Sequence, residues 1–530
     1  MASKKEDFKK YIEEGYTFKK DYIIVGGAML DEETVQGSHI KIPLKTLNRH
    51  GLIAGATGTG KTKTLQVLAE QMSLKGIPSI LMDIKGDLSG LAQPGSSNDH
   101  VVWRHGEIGV DFKAQSLPVE LMSLSQEKGV RLRATISEFG PILLSKILGL
   151  NDTQSGVITI LFKYCDDNNL PLLDLKDLRK SLQFATTDGK KEIEGEYGRI
   201  SSSSVNTIMR KIIELEQQGA DTFFGEKSFD VSDFLGENDN GEAKINIIRL
   251  SDIQNKPKLF STFMLSLLAE IYETFPETGD DDKPKLCIFI DEAHLVFKEA
   301  SSELLDQIEV IIKLIRSKGV GIYFCTQNPT DIPDEVLSQL GLKIQHALRA
   351  FTAKDRRAIT KAAENYPLTD YYHTDELITS LGIGEALVTC LNEKGIPTPL
   401  AATLLRAPIT RMDILSPEEI DAVINKSALA PKYAENIDRD SAYEILSGKI
   451  ERIRAVEAEE EKQEERAKER EEIEKQRTRR TKTTAKKRKK IVRRRVTTNR
   501  RNTSGKTLEE VGVELFKDLA RGLLGVLGRR

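Results

Sequence analysis

The sequence predicts an α/β fold, a mainly parallel sheet with helices on both faces, and three observations support it. Short apolar runs of strand character alternate with helical segments from residue 244 onward. A glycine-rich loop, residues 55–62, lies between the apolar run 51–54 and a segment of helical periodicity. Acidic residues end further apolar runs, at the sheet edge where ligands collect in open α/β folds.

The glycine-rich loop has the pattern and the strand–loop–helix context of a phosphate-binding loop. Its glycines let backbone N–H groups face phosphate oxygens, and the following helix adds a positive field. We expect Lys61 to reach the β- and γ-phosphates of ATP or GTP and Thr62 to ligate Mg²⁺. The alternative is a glycine turn that binds nothing. The expected nucleotide-binding residues are Gly55, Ala56, Thr57, Gly58, Thr59, Gly60, Lys61, Thr62 and Lys63.

Two further apolar runs end in polar residues that could complete this site. Asp291 and Glu292 follow the run 286–290; we expect Asp291 to hold Mg²⁺ through water and Glu292 to act as general base. Gln327 follows the run 320–326 and could sense the γ-phosphate. The alternatives are a helix cap for the acids and a strand cap for Gln327. Residues 291–294 also spell the box of an RNA helicase class, but the glutamine–arginine-rich motif of those enzymes is missing.

Asp83 ends the run 79–83 and is another candidate near the nucleotide, with Asp87 close behind it. The alternative is that Asp83 caps the following turn.

Composition predicts a chain for a reducing cytoplasm. No run of about 18 apolar residues is present, so no membrane span is expected, and residues 1–7 lack a signal core. The four cysteines have no metal-ligand spacing, and Cys287 and Cys325 are expected in the core.

Charge is distributed unevenly along the chain. The net charge is −3, but residues 477–501 hold fourteen Lys/Arg and no Asp/Glu, which leaves the rest acidic. This basic stretch is expected to be disordered alone and could bind nucleic-acid phosphates or an anionic membrane surface. The alternative is a solvated tail.

The pattern along the chain predicts six parts. Within the mostly helical insertion, residues 113–243, the segments expected to be helical include 121–124 and 130–139. The C-terminal part, residues 507–530, has apolar residues on one helical face and could dock on a protein partner or a membrane. The parts are 1–45, an extension with short strands; 46–112 with 244–410, the α/β core; 113–243, a mostly helical insertion; 411–450, a helical segment; 451–506, a charged linker and basic tail; and 507–530, an amphipathic helix.

Four segments together resemble the bacterial HerA-like ATPases of the HerA–FtsK superfamily, in the branch labelled domain of unknown function 853. They are GATGTGKT, ILMDIKGDLSGLA, CIFIDEAH and the run YFCTQNPTDIPDEVLSQLGLKIQHALRAFT, and the resemblance covers roughly residues 15–410. It implies a RecA-like P-loop NTPase core, usually a homo-oligomeric, hexameric ring that translocates DNA. HerA itself has an N-terminal β-barrel, for which the roughly 45 residues ahead of the loop strand are too few.

The resemblance also implies an arginine finger, which neutralises transition-state charge from a neighbouring subunit. Arg316 matches the finger position of the family and Arg49 a second family arginine, and Arg349 is a third candidate. Each could instead be an ordinary surface arginine. The function expected is DNA-coupled ATP hydrolysis; the alternative is an ATP-driven switch or assembly scaffold acting on a protein or membrane partner.

Overall fold

The structure, a computed structural model, describes residues 2–279, 281–298, 302–435, 437 and 439–492. The chain divides into two compact units, residues 1–451 and 452–530. The strands are β1 Tyr22–Leu30, β2 Glu33–Pro43, β3 Gly51–Ala54, β4 Ser79–Asp83, β5 Val119–Ser123, β6 Val130–Arg131, β7 Ile245–Arg249, β8 Leu286–Ile290, β9 Val320–Thr326, β10 Leu342–Gln345, β11 Glu385–Thr389 and β12 Ala401–Leu405.

Seventeen helices are present in the described ranges. They are α1 Ala2–Gly15, α2 Lys61–Leu74, α3 Asp99–Ile108, α4 Ile136–Ile147, α5 Asp152–Asp167, α6 Leu175–Thr186, α7 Lys190–Glu196, α8 Ser202–Gln217, α9 Pro257–Thr274, α10 His294–Lys298, α11 Ser302–Ile315, α12 Asp334–Leu337, α13 Ala353–Glu364, α14 Thr374–Ser380, α15 Pro417–Lys426, α16 Leu429–Ala434 and α17 Ala442–Val492. No helix in these ranges has the length and apolar character needed to cross a membrane.

All of these strands join one sheet in the order β2-β1-β12-β11-β10-β3-β9-β8-β4-β7-β5-β6. The eight strands from β10 to β6 run parallel to one another. The four at the other end are antiparallel. The predicted α/β fold with a mainly parallel sheet is confirmed.

The central strands are buried on both faces, which explains their continuous apolar runs. Tyr323 and Cys325 of β9 share one apolar core with Leu68 of α2. Phe324 points to the opposite face, where its ring lies 5.6 Å from that of Phe297 in α10. Cys287 and Cys325 are core residues, as predicted, and all four cysteines are buried thiols.

Two segments expected to be helical are strands instead. Residues 119–123 form β5, which pairs with β7 in parallel register, and residues 130–131 form β6. The prediction for 121–124 and for the start of 130–139 is therefore wrong. A buried apolar run of four or five residues has too few turns to show helical or strand periodicity, so only the pairing partner decides. The helical part of the insertion begins at α4, where Thr135 and Glu138 form a capping box.

The N-terminal residues extend the sheet rather than standing apart. The expected strand pair is a hairpin of nine and eleven residues, longer than its sequence signals indicated. Strand β1 pairs with β12, and Phe8 and Ile12 of α1 are fully buried in the main core.

Helix α17 runs to Val492, so residues 477–492 of the basic stretch are helical, whereas composition predicted a disordered chain there. Its residues are mostly Glu, Lys, Arg, Ala and Gln, which favour helix, and Lys475–Glu471 is an i,i+4 ion pair at 2.6 Å. The rest of the basic stretch, 493–501, and the predicted helix 507–530 lie outside the described residues.

Candidate nucleotide-binding site

Four adjacent parallel strands bring the predicted site residues to one edge of the sheet. The order β3-β9-β8-β4 places the glycine-rich loop beside Gln327, then the Asp291–Glu292 pair, then Asp83. The carboxyl ends of parallel strands lie at the same edge of the sheet, so segments far apart in sequence meet at that edge.

The glycine-rich loop is shaped by positive φ angles and by bonds to neighbouring strand ends. Gly55, Gly58 and Gly60 have φ of 155°, 79° and 110°. The N–H of Gly55 donates to Thr326 O at 3.2 Å, and that of Ala56 donates to Ala347 O at 2.8 Å. These bonds hold the loop in a concave form.

Lys61 closes the loop from inside. Its ammonium donates to Ala56 O at 3.1 Å, and the side chain is buried. Burial lowers the pKa of Lys61. An ammonium taken out of water gains most from a charged partner, which a phosphate would supply.

The start of α2 is suited to an anion. Gly60 provides no side-chain cap for the first helical turn, and the N–H groups of such a turn lack partners within the helix. Thr57 and Gly58 are exposed, and Thr62 is half-buried at the second helical position. The Lys63 side chain takes another direction, since its ammonium donates to Met412 O and, at 3.3 Å, to Gln66 Oε1.

Three residues that sequence patterns did not indicate support the loop from behind. His346 is fully buried with Nε2 2.9 Å from Thr64 Oγ1. Burial, with a smaller effect of Lys61, lowers the pKa of His346 to about 4 and keeps the ring neutral. The N–H of Gly384 donates to Thr59 O at 3.0 Å, and Arg104 holds Gly384 O at 3.0 Å. These contacts are made between segments far apart in sequence, so no local motif indicates the three residues.

The acidic pair after β8 is almost completely buried. Burial raises the pKa of Asp291 to about 6, against the opposing effect of Lys85. Burial also acts to raise the pKa of Glu292, but the ion pair with Lys85 holds it below its ordinary value. Lys85 Nζ lies 2.5 Å from Glu292 Oε1. Glu292 therefore stays ionised at neutral pH, as a general base must.

Glu292 also has an unusual backbone and two more polar neighbours. The φ angle of Glu292 is 47°, in the left-handed region. This conformation costs free energy in a residue with a side chain, and residues held in it are concentrated at functional sites. Gln327 Nε2 donates to Glu292 Oε2 at 3.4 Å, and His294 Nδ1 is 3.1 Å from the same oxygen. Gln327 thus lies beside Glu292, and its predicted role as a sensor of the γ-phosphate stays a prediction.

Asp83 caps the turn that follows β4, which is the alternative to a direct role at the nucleotide. Its carboxylate accepts the N–H groups of Gly86 at 2.7 Å, Asp87 at 3.2 Å and Leu88 at 3.1 Å. Burial, followed by the charge of Asp87, raises the pKa of Asp83 to about 7. Asp83 thus shapes the turn that carries Lys85.

The residues present fit a magnesium ion shared with a phosphate ligand. Asp291 Oδ2 is buried without a hydrogen-bond partner in the described structure, and the Lys85 ammonium is 3.9 Å away. Within the described ranges no three His, Cys, Asp or Glu residues are grouped to hold a metal by themselves. Mg²⁺ typically takes one or two protein ligands and completes its shell with water and phosphates. Asp291 and Thr62 would be those ligands.

The three candidate arginines divide between the two edges of the sheet. Arg316 and Arg49 precede β9 and β3, at the amino ends of the strands, whereas the loop and acids follow the carboxyl ends. Strand β9 has seven residues, so Arg316 is roughly 20 Å from this edge at about 3.3 Å per residue. Arg349 lies on the nucleotide edge after β10, where it is exposed and donates to Thr379 O at 2.8 Å.

Comparisons with known proteins agree with this architecture. The chain is 25% identical over 373 residues to a probable helicase of Methanocaldococcus jannaschii, covering 62% of this chain and 61% of the relative. It is 22% identical to the DNA import protein CedB of Sulfolobus acidocaldarius, covering 67% and 52%. It is also 22% identical to the DNA double-strand break repair helicase HerA of that organism, covering 66% and 64%. The chain therefore spans about half to two thirds of the length of these relatives.

Among solved structures, the bacterial conjugative coupling protein TrwBdeltaN70 in complex with sulphate has a similar fold. The TM-score is 0.50 at 14% identity, covering 77% of this chain and 94% of that one. The model of the family described as helicase HerA-like C-terminal matches residues 29–530. The chain thus belongs to the HerA-like helicase C-terminal family and has its P-loop NTPase fold, with the glycine-rich loop after β3 and the acidic pair after β8 at one edge of the parallel sheet.

Proposed function

We propose that this protein is a Mg²⁺-dependent ATPase that works on DNA as an oligomeric ring. The observation that carries the proposal is the meeting of Lys61 and Thr62 with Asp291 and Glu292 at one sheet edge. A phosphate loop binds a nucleotide, and an acidic pair on a nearby strand allows its hydrolysis.

Each residue has a defined part in this proposal. Lys61 and the N–H groups at the start of α2 bind the phosphates, and Glu292 accepts a proton from the attacking water. Gln327, beside Glu292, reports the state of the γ-phosphate. Mg²⁺, held by Thr62 and Asp291, would offset negative charge on the phosphate oxygens. Four buried thiols without disulfides suit our further proposal of a cytoplasmic location.

DNA as the substrate is supported by the relatives, which are named as a DNA import protein and a DNA repair helicase. We expect double-stranded DNA to raise the ATPase rate several-fold. A chain ending at Lys475 lacks the basic stretch and should bind DNA more weakly, with a shallower salt dependence, since fewer counterions are released. The measurement is ATP turnover and DNA affinity at several salt concentrations for both chains.

A second function is a nucleotide-driven switch or assembly scaffold acting on a protein or membrane partner. It is favoured by the acidic body of the chain, whose net charge near −17 outside the basic stretch repels DNA. An ATPase rate unaffected by DNA, together with no DNA binding by the full chain, would select this function and reject the first.

We further propose that the active form is a hexameric ring, a size that the family resemblance implies, in which Arg316 or Arg49 reaches the site of a neighbouring subunit. Both lie at the sheet edge away from their own phosphate loop, so within one subunit they are too far from the site to act. Arg316 is exposed, as a residue acting on a second chain has to be.

Mixing two inactive variants tests whether Arg316 acts on its own subunit or on a neighbouring subunit. Glu292→Gln and Arg316→Ala chains should each be nearly inactive, while an equal mixture should recover roughly a quarter of wild-type activity by random assortment of subunits. The matched control is Arg349→Ala mixed with Glu292→Gln, because Arg349 lies on the nucleotide edge of its own subunit. Full activity of a dilute monomer in a sedimentation-checked assay would contradict the ring.

A further inference from the structure

Lys85 engages the acidic pair directly. Its ammonium is 2.5 Å from Glu292 Oε1 and 3.9 Å from Asp291 Oδ2. The second oxygen of Glu292 lies 3.1 Å from His294 Nδ1 and accepts Gln327 Nε2 at 3.4 Å. Both oxygens of the proposed general base are therefore already in contact with protein groups.

The backbone around Lys85 is fixed, but its side chain has room to leave. Asp83 accepts three N–H groups from the same turn, and Gln254 Nε2 donates to Ile84 O at 2.7 Å. The Lys85 side chain is 35% exposed, whereas that of Asp291 is 3% exposed. A flexible four-carbon stem on a rigid turn can swing its ammonium into solvent without unfolding the turn.

We infer that Lys85 is a positioning residue that holds Glu292 by an ion pair and competes with a divalent cation for the Asp291 carboxylate. The inference rests on the proposed ATPase function. A divalent cation on the Asp291 carboxylate would lie close to the Lys85 ammonium, and the repulsion between the two positive charges would weaken the binding of the cation. Withdrawal of Lys85 would remove this repulsion and release Glu292 Oε1 for water.

The test measures metal binding without turnover. Mn²⁺ affinity in the presence of saturating ADP is read from the electron paramagnetic resonance signal of free Mn²⁺. Lys85→Met and Lys85→Gln, which remove the competing charge, should bind Mn²⁺ roughly tenfold more tightly than wild type. Lys85→Arg retains the charge and should stay near wild type. In ATPase assays the Mg²⁺ concentration for half-maximal rate should fall for the neutral variants.

Lys128→Met is the matched control. Lys128 also pairs with a carboxylate, Asp421, at 2.7 Å, but away from the acidic pair, so Mn²⁺ affinity should not change. Equal Mn²⁺ affinity of wild type and both neutral variants would overturn the inference and leave the proposed ATPase function standing. A large loss of kcat at unchanged Mn²⁺ affinity would also overturn it, because Lys85 would then act in the chemical step. Absence of Mn²⁺ binding by wild type and all variants would reject the metal site as well.

Discussion

Glu292→Gln should bind ATP with nearly unchanged affinity and hydrolyse it at least about 100-fold more slowly, the usual scale for losing a general base. The amide keeps the size of the side chain but cannot accept a proton from water. Because the carboxylate is ionised and held by Lys85 at the sheet edge, its loss should not disturb the phosphate loop. Single-turnover hydrolysis and equilibrium binding of a fluorescent ATP analogue measure the two quantities separately.

Glu216→Gln is the control for that variant. Glu216 is also a glutamate paired with a cation, since Arg179 donates to it at 3.0 Å and 3.1 Å, but it lies on α8 in the insertion. ATP turnover by the Glu216→Gln chain should equal that of wild type. A Glu292→Gln chain with wild-type turnover would remove Glu292 from the mechanism.

Lys61→Ala should weaken ATP binding by about 10-fold to 100-fold, because a charge-assisted hydrogen bond contributes about 1.5–3 kcal/mol. Hydrolysis should fall further, since the same ammonium stabilises charge that develops in the transition state. The fold should persist, because the Lys61 ammonium bonds only a loop carbonyl in the described structure. Calorimetric titration with ADP and ATP provides the affinities.

Lys128→Ala is the comparison, because it removes an ammonium that pairs with Asp421 on the surface. Its affinity for ATP should be unchanged, as exposed pairs of this kind contribute little. If Lys61→Ala binds and hydrolyses ATP normally, the assignment of residues 55–62 as a phosphate loop is wrong.

The sequence alone predicted the core of the fold, which the structure confirms, and a phosphate loop at residues 55–62, whose contacts with a nucleotide stay a prediction. Buried parallel strands are continuous apolar runs, and the runs at β8 and β9 were long enough to recognise. The phosphate loop is a local device whose glycines, lysine and threonine act within eight consecutive residues, so its pattern is visible without a partner. Asp291 and Glu292 were predicted because acids that end an apolar strand have a known chemistry in a chain with such a loop, and the structure places them at the same sheet edge.

Tertiary structure decided what depends on contacts between distant segments. Strand β5 has only five residues, too few to distinguish strand from helical periodicity, and its pairing with β7 makes it a strand where the sequence predicts a helix. Arg316 and Arg49 were family matches, and only the direction of β9 and β3 revealed that they face away from their own site. Lys85 and His346 have no motif; each lies at the site because adjacent parallel strands end at the same edge, and strand order is set by packing of the whole sheet.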